Sequence, residues 1–134
     1  MKDDKITKGR ILLVDDESAV LGLLKFMLTD LGYTTLCVEN PIEALELFQN
    51  EHERIDVVLT DLGMPQLPGL QLARRLNEID ESMPIILLTG NSESIPDEAL
   101  QKDYISGVLD KPMTPDQLLG AIEKARTKSQ PEFA

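Results

Sequence analysis

Apolar residues gather into five short runs along the chain, and a polar landmark follows most of them. Ile11-Leu12-Leu13-Val14 runs into Asp15-Asp16, Asp56 to Thr60 into Asp61, Pro84 to Leu88 into Thr89-Gly90, and Ile105 to Leu109 into Asp110-Lys111-Pro112. The remaining run is Thr34 to Val38. Runs of this length, rich in aliphatic and β-branched residues and apolar on both faces, suit buried strands of a parallel sheet.

Between the runs the apolar spacing becomes helical. Val20, Leu23, Leu24, Met27 and Leu31 recur at intervals of three and four after Asp15-Asp16-Glu17-Ser18, and Gly32 is placed for a left-handed cap. Asn40 reads as an N-cap with Pro41 in the first turn, followed by Ile42, Leu45 and Phe48 and an end near Asn50. Pro68 opens a third helix with Leu72, Ala73, Leu76 and Ile79 facing inward. A fourth, short helix is predicted from about Pro96 to Lys102. Thr114 and Pro115 start the last, packed through Leu118, Leu119, Ile122 and Ala125.

Five strands alternating with five helices predict one α/β domain, a doubly wound parallel sheet of the flavodoxin-like order 2-1-3-4-5. At 134 residues the chain suits a single unit: residues 9–127 form the domain, 1–8 a flexible leader and 128–134 a flexible tail. In this order strands 1 and 3 are neighbours, about 4.8 Å apart, and ligands bind outside their carboxyl ends. Asp15-Asp16 and Asp61 fall at that point.

Composition narrows the partners. Hydrophobic residues make up 42% and charged residues 28%, and no apolar run approaches the length of a membrane span. The charged start, Met1-Lys2-Asp3-Asp4-Lys5, is no export signal, so a cytoplasmic location is expected. A net charge of −11 argues against unaided contact with nucleic acid or an anionic membrane. The lone Cys37 excludes an internal disulfide and is expected to be an inert core thiol. His52, in a polar stretch, reads as a solvated loop residue without a role.

Three carboxylates at adjacent strand ends would repel unless a cation shares the site. Lys111 supplies one positive charge, and a hard divalent ion with oxygen ligands would supply the rest. Transfer of a phosphoryl group needs its oxygens neutralised and its donor held in line. Asp61 suits the nucleophile, Asp15 and Asp16 a Mg²⁺, and Thr89 and Lys111 the phosphoryl oxygens, with main-chain N–H groups assisting. Taken singly, each residue has a plainer reading: a helix-capping acid pair, a loop carboxylate, a strand-end hydroxyl, a surface lysine. Their shared position favours the site.

Val14-Asp15-Asp16, Thr60-Asp61-Leu62-Gly63-Met64-Pro65 with Pro68-Gly69, Leu88-Thr89-Gly90 and Lys111-Pro112 together resemble the receiver domain of bacterial two-component response regulators. The resemblance covers roughly residues 9 to 127. It implies Asp61 as phosphoacceptor, Asp15, Asp16, Asp61 and the Gly63 main-chain carbonyl as Mg²⁺ ligands, Thr89 as switch hydroxyl and Lys111 as phosphate-binding lysine. It also implies a cis peptide at Lys111-Pro112, a phosphohistidine donor on a sensor histidine kinase or histidine phosphotransfer domain, and an output protein or domain. The acyl phosphate would reshape the face around the short fourth helix and fifth strand. Such a module is no enzyme acting on an outside substrate, although it assists its own phosphorylation and dephosphorylation. Homodimerisation on phosphorylation is left open, as is the choice between a free regulator and the receiver of a hybrid kinase.

Two departures stand out. Val108 occupies the position where the family commonly carries an aromatic switch residue, and Tyr104 is not expected to replace it. Gly63 and Asn91 occupy positions whose side chains in the family govern access of water to the acyl phosphate. Two rival functions compete with phosphoryl acceptance. A haloacid dehalogenase-like phosphohydrolase would need a second Asp where Gly63 stands, and a pseudo-receiver would keep the fold as a phosphorylation-independent binding module.

Overall fold

The computed structural model describes residues 7–64, 66–90, 95 and 102–129. Its strands are β1 (Arg10–Val14), β2 (Thr34–Val38), β3 (Val57–Asp61), β4 (Ile85–Thr89) and β5 (Gly107–Asp110). They form one parallel sheet in the order β2-β1-β3-β4-β5, as the alternation of runs and helices predicts. The α-helices described are α1 (Ser18–Leu31), α2 (Pro41–Glu51), α3 (Gly69–Ile79) and α4 (Pro115–Ser129), with a 3-10 turn at His52–Arg54. The short helix expected between Pro96 and Lys102 lies, except for Lys102, outside the described residues, as does Asn91.

Alternate residues of the three central strands point to opposite layers, as the pleat requires. Leu12, Val14, Val58, Ile85 and Leu87 pack under Ala44 and Phe48 of α2 and Leu72 and Leu76 of α3. Ile11, Leu13, Leu59, Ile86 and Leu88 pack under Leu21, Leu24 and Leu28 of α1 and Leu118, Ile122 and Ala125 of α4. Burying a side chain as large as Phe48 stabilises the fold by about 1.5–3 kcal/mol.

The helix ends follow the local chemistry read from the sequence. Gly32 takes φ 104°, a left-handed conformation, and its N–H closes on the Thr29 carbonyl. Asn40 Oδ1 accepts from the Ile42 and Glu43 N–H groups at 2.7 and 3.3 Å. Thr114 and Gln117 cap each other, Thr114 Oγ1 accepting from the Gln117 N–H and Gln117 Oε1 from the Thr114 N–H.

Several expectations are corrected. The inner stripe of α1 is Leu21, Leu24 and Leu28, one position away from part of the expected set, and Leu23 is 57% exposed. On α2 the buried positions are Pro41, Ala44 and Phe48, and Ile42 turns outward. Both segments are apolar at more than one helical phase, so spacing alone leaves the face ambiguous. Cys37 is exposed, because β2 is an edge strand with little above it. His52 is half-buried, its Nδ1 3.0 Å from Asp80 Oδ2 and its ring tilted against Phe48. Lys8, assigned to the leader, donates its N–H to the Gly32 carbonyl, and its own carbonyl accepts from Arg126. At the other end α4 continues to Ser129, into the stretch assigned to the tail.

Candidate functional site

Register builds the site. Val14 pairs with Thr60, so the next residues on β1 and β3, Asp15 and Asp61, emerge side by side at the carboxyl edge. Asp61 pairs in turn with Leu88, and Thr89 with Asp110, which sets Thr89 and Lys111 at the same edge. The Lys111 N–H donates to the Thr89 carbonyl at 2.7 Å, and the Leu62 N–H to the Leu88 carbonyl at 2.9 Å. The Lys111-Pro112 peptide is cis, as expected.

The Lys111 ammonium donates to Asp61 Oδ1 at 2.8 Å and to Asp15 Oδ2 at 3.0 Å. Asp15 is fully buried, and its second oxygen accepts from the Glu17 N–H at 2.9 Å. Asp61 is mostly covered, whereas Asp16 is exposed beside them. Burial works against the charge on Lys111, but hydrogen bonds and charge attraction from Asp61 and Asp15 outweigh it and hold the amine above its ordinary pKa.

One carboxylate oxygen from each of Asp15, Asp16 and Asp61 lies within 4.8 Å of the others. Two oxygens sharing a Mg²⁺ stand at most about 4.2 Å apart, so a small side-chain adjustment brings all three to one ion. Three carboxylates against one ammonium leave an excess of negative charge, and the donors are all hard oxygens. The cluster could therefore hold a divalent metal ion.

Thr89 is buried at the last position of β4. Gly63 lies in the loop after Asp61, exposed and with open space where a Cβ would be. Val108 is half-buried on β5, and Tyr104 packs against the core on the α2–α3 side. One residue at the site carries a job that the sequence reading left unassigned. A Cβ on Gly69 would meet the Asp61 carbonyl oxygen at 2.3 Å and Leu62 Cα at 2.8 Å, so the start of α3 sits directly on the backbone of Asp61. The sequence signal was the Pro68-Gly69 pair, whose position says nothing of what it packs against.

Residues 11–123 match the response regulator receiver domain family. Over 124 residues, 92% of this chain, the sequence is 36% identical to the transcriptional regulatory protein GlrR of Escherichia coli K12, and 32% identical to the response regulator MprA of Mycobacterium sp. strain KMS. The chain spans only 27% and 53% of the lengths of these curated relatives. Among solved structures, the receiver domain protein of Clostridium thermocellum superposes with a TM-score of 0.82 at 35% identity, covering 90% of this chain and 95% of that one. No helix among the described residues is long and apolar enough to cross a membrane. With the family model matching most of its length, the chain belongs to the response regulator receiver domain family, a signalling module of two-component systems.

Proposed function

We propose that Asp61 accepts a phosphoryl group from a phosphohistidine and that the resulting acyl phosphate is the signal. The observation that carries this reading is the single ammonium of Lys111 lying within 3.0 Å of carboxylates on two different strand ends, with Asp16 close by. Asp15, Asp16, Asp61 and the Gly63 carbonyl would hold Mg²⁺, which when bound supplies positive charge to the phosphoryl oxygens. An Asp61 carboxylate oxygen forms the new bond to phosphorus as the phosphorus–nitrogen bond to the donor imidazole breaks. Lys111 neutralises one of the phosphoryl oxygens and Thr89 donates its hydroxyl to another.

The donor is a sensor histidine kinase or a histidine phosphotransfer domain, and the receiver of the signal is an output protein or domain. Inward movement of Thr89 toward the phosphoryl group would shift the chain that follows β4 together with β5, a population shift between existing states. Val108 gives that movement no aromatic ring to turn.

The test is incubation with phosphoramidate and Mg²⁺, followed by mass spectrometry. A gain of about 80 Da is expected, absent without Mg²⁺ and absent in Asp61→Asn. Wild-type protein that stays unmodified under these conditions would instead favour a phosphorylation-independent binding module.

A further inference from the structure

Three polar or charged side chains are buried among the described residues: Asp15, Thr89 and Thr60. The first two belong to the site above. Thr60 has no place in the chemistry so far, although it directly precedes the proposed phosphoacceptor and is fully shielded from solvent.

Its surroundings favour no hydroxyl. In the sheet Thr60 lies between Val14 on β1 and Leu87 on β4, both apolar and buried. Valine has almost the same shape, and a hydroxyl in an apolar layer costs free energy unless it is hydrogen-bonded. Its bond goes to a particular place: Thr60 Oγ1 donates to the main-chain carbonyl of Asp61 at 3.1 Å. On that same carbonyl α3 begins, with the glycine at 69 admitting the close approach.

We infer that Thr60 is a positioning residue for phosphoryl transfer, its hydroxyl fixing the Asp61 carbonyl and with it the aim of the Asp61 carboxylate. The peptide plane held in this way leads directly into Leu62, whose N–H is tied to the Leu88 carbonyl, and then into the loop containing Gly63. This inference rests on the proposed role of Asp61. It adds a residue that touches neither the phosphoryl group nor the metal and acts only through the backbone of the acceptor.

The test compares Thr60→Val and Thr60→Ser with wild type in three measurements: rate of labelling by phosphoramidate with saturating Mg²⁺, urea midpoint, and hydrogen exchange at the Leu62 amide. Thr60→Val, which strips the Asp61 carbonyl of its hydroxyl partner, is expected to lower the urea midpoint modestly, to label about three- to tenfold more slowly, and to lose protection at Leu62. Thr60→Ser keeps the hydroxyl but lacks the methyl, so it should show a lower urea midpoint with near-wild-type labelling and Leu62 protection. Both variants therefore lose stability while only the valine slows labelling, which a purely structural role would not produce. Thr60→Val labelling at the wild-type rate, or Thr60→Ser labelling as slowly as valine, overturns the inference. If the wild type does not label at all, the phosphoacceptor reading falls, and Leu62 exchange alone decides whether Thr60 holds the Asp61 backbone.

Discussion

Lys111 Nζ stands 2.8 Å from Asp61 Oδ1 while also holding Asp15 Oδ2, so a single side chain neutralises acids from two strands. Removing it should expose their repulsion. Lys111→Met is expected to lose about 1–3 kcal/mol of stability without metal, because two largely covered carboxylates lose their cation. Millimolar Mg²⁺ should recover more of the thermal midpoint in this variant than it adds to the wild type. Equal Mg²⁺ responses in the two proteins would contradict the idea that lysine and metal serve the same acids.

Asp16 makes no ion pair among the described residues and is exposed, yet it adds a negative charge beside Asp15 and Asp61. Asp16→Asn should raise the urea midpoint in metal-free buffer and weaken Mg²⁺ binding measured by calorimetry. A drop in metal-free stability would mean that Asp16 is held by attraction rather than tolerated against repulsion.

Gly69→Ala places a methyl group 2.3 Å from the Asp61 carbonyl oxygen, a backbone atom that cannot swing aside. Either α3 or the end of β3 must shift. Destabilisation of about 1–3 kcal/mol is expected, together with slower phosphoramidate labelling of Asp61. A variant with wild-type stability and rate would show that the loop 61–69 yields easily.

At the opposite edge of the sheet, Asp80 is held below the ordinary carboxylate range. Burial pushes its pKa up, but hydrogen bonds from Ser82 and His52 and the charge of His52 together pull it further down. A lowered folded-state pKa adds stability above the unfolded value, near pH 4, and that contribution disappears as pH falls through the folded value. The urea-midpoint gap between wild type and Asp80→Asn should thus shrink as pH falls below about 4. A gap that persists in acid would assign the effect to lost hydrogen-bond geometry alone.

Much of this arrangement was legible because strand ends in a parallel sheet converge. Once the runs ending at Asp15, Asp61, Thr89 and Lys111 are read as parallel strands, register brings their ends together. Caps at Gly32, Asn40 and Thr114 were equally local signals. What failed depended on distant partners. His52 looked solvated because Asp80 is remote in sequence, and Cys37 looked buried because an apolar run does not reveal that its strand lies at an edge. The faces of α1 and α2 were misphased at Leu23 and Ile42, where leucine-rich sequence fits several stripes. The jobs of Gly69 and Thr60 were invisible for a related reason: each is defined by one carbonyl oxygen.

Lys111 also meets its surroundings at both ends, its amide on the Thr89 carbonyl and its ammonium on the acids. The tip of β4 and the positive charge are therefore coupled like the two arms of a lever. A displacement of Thr89 would pull on the counter-ion, and a change in what the counter-ion grips would reach Thr89 through the same residue.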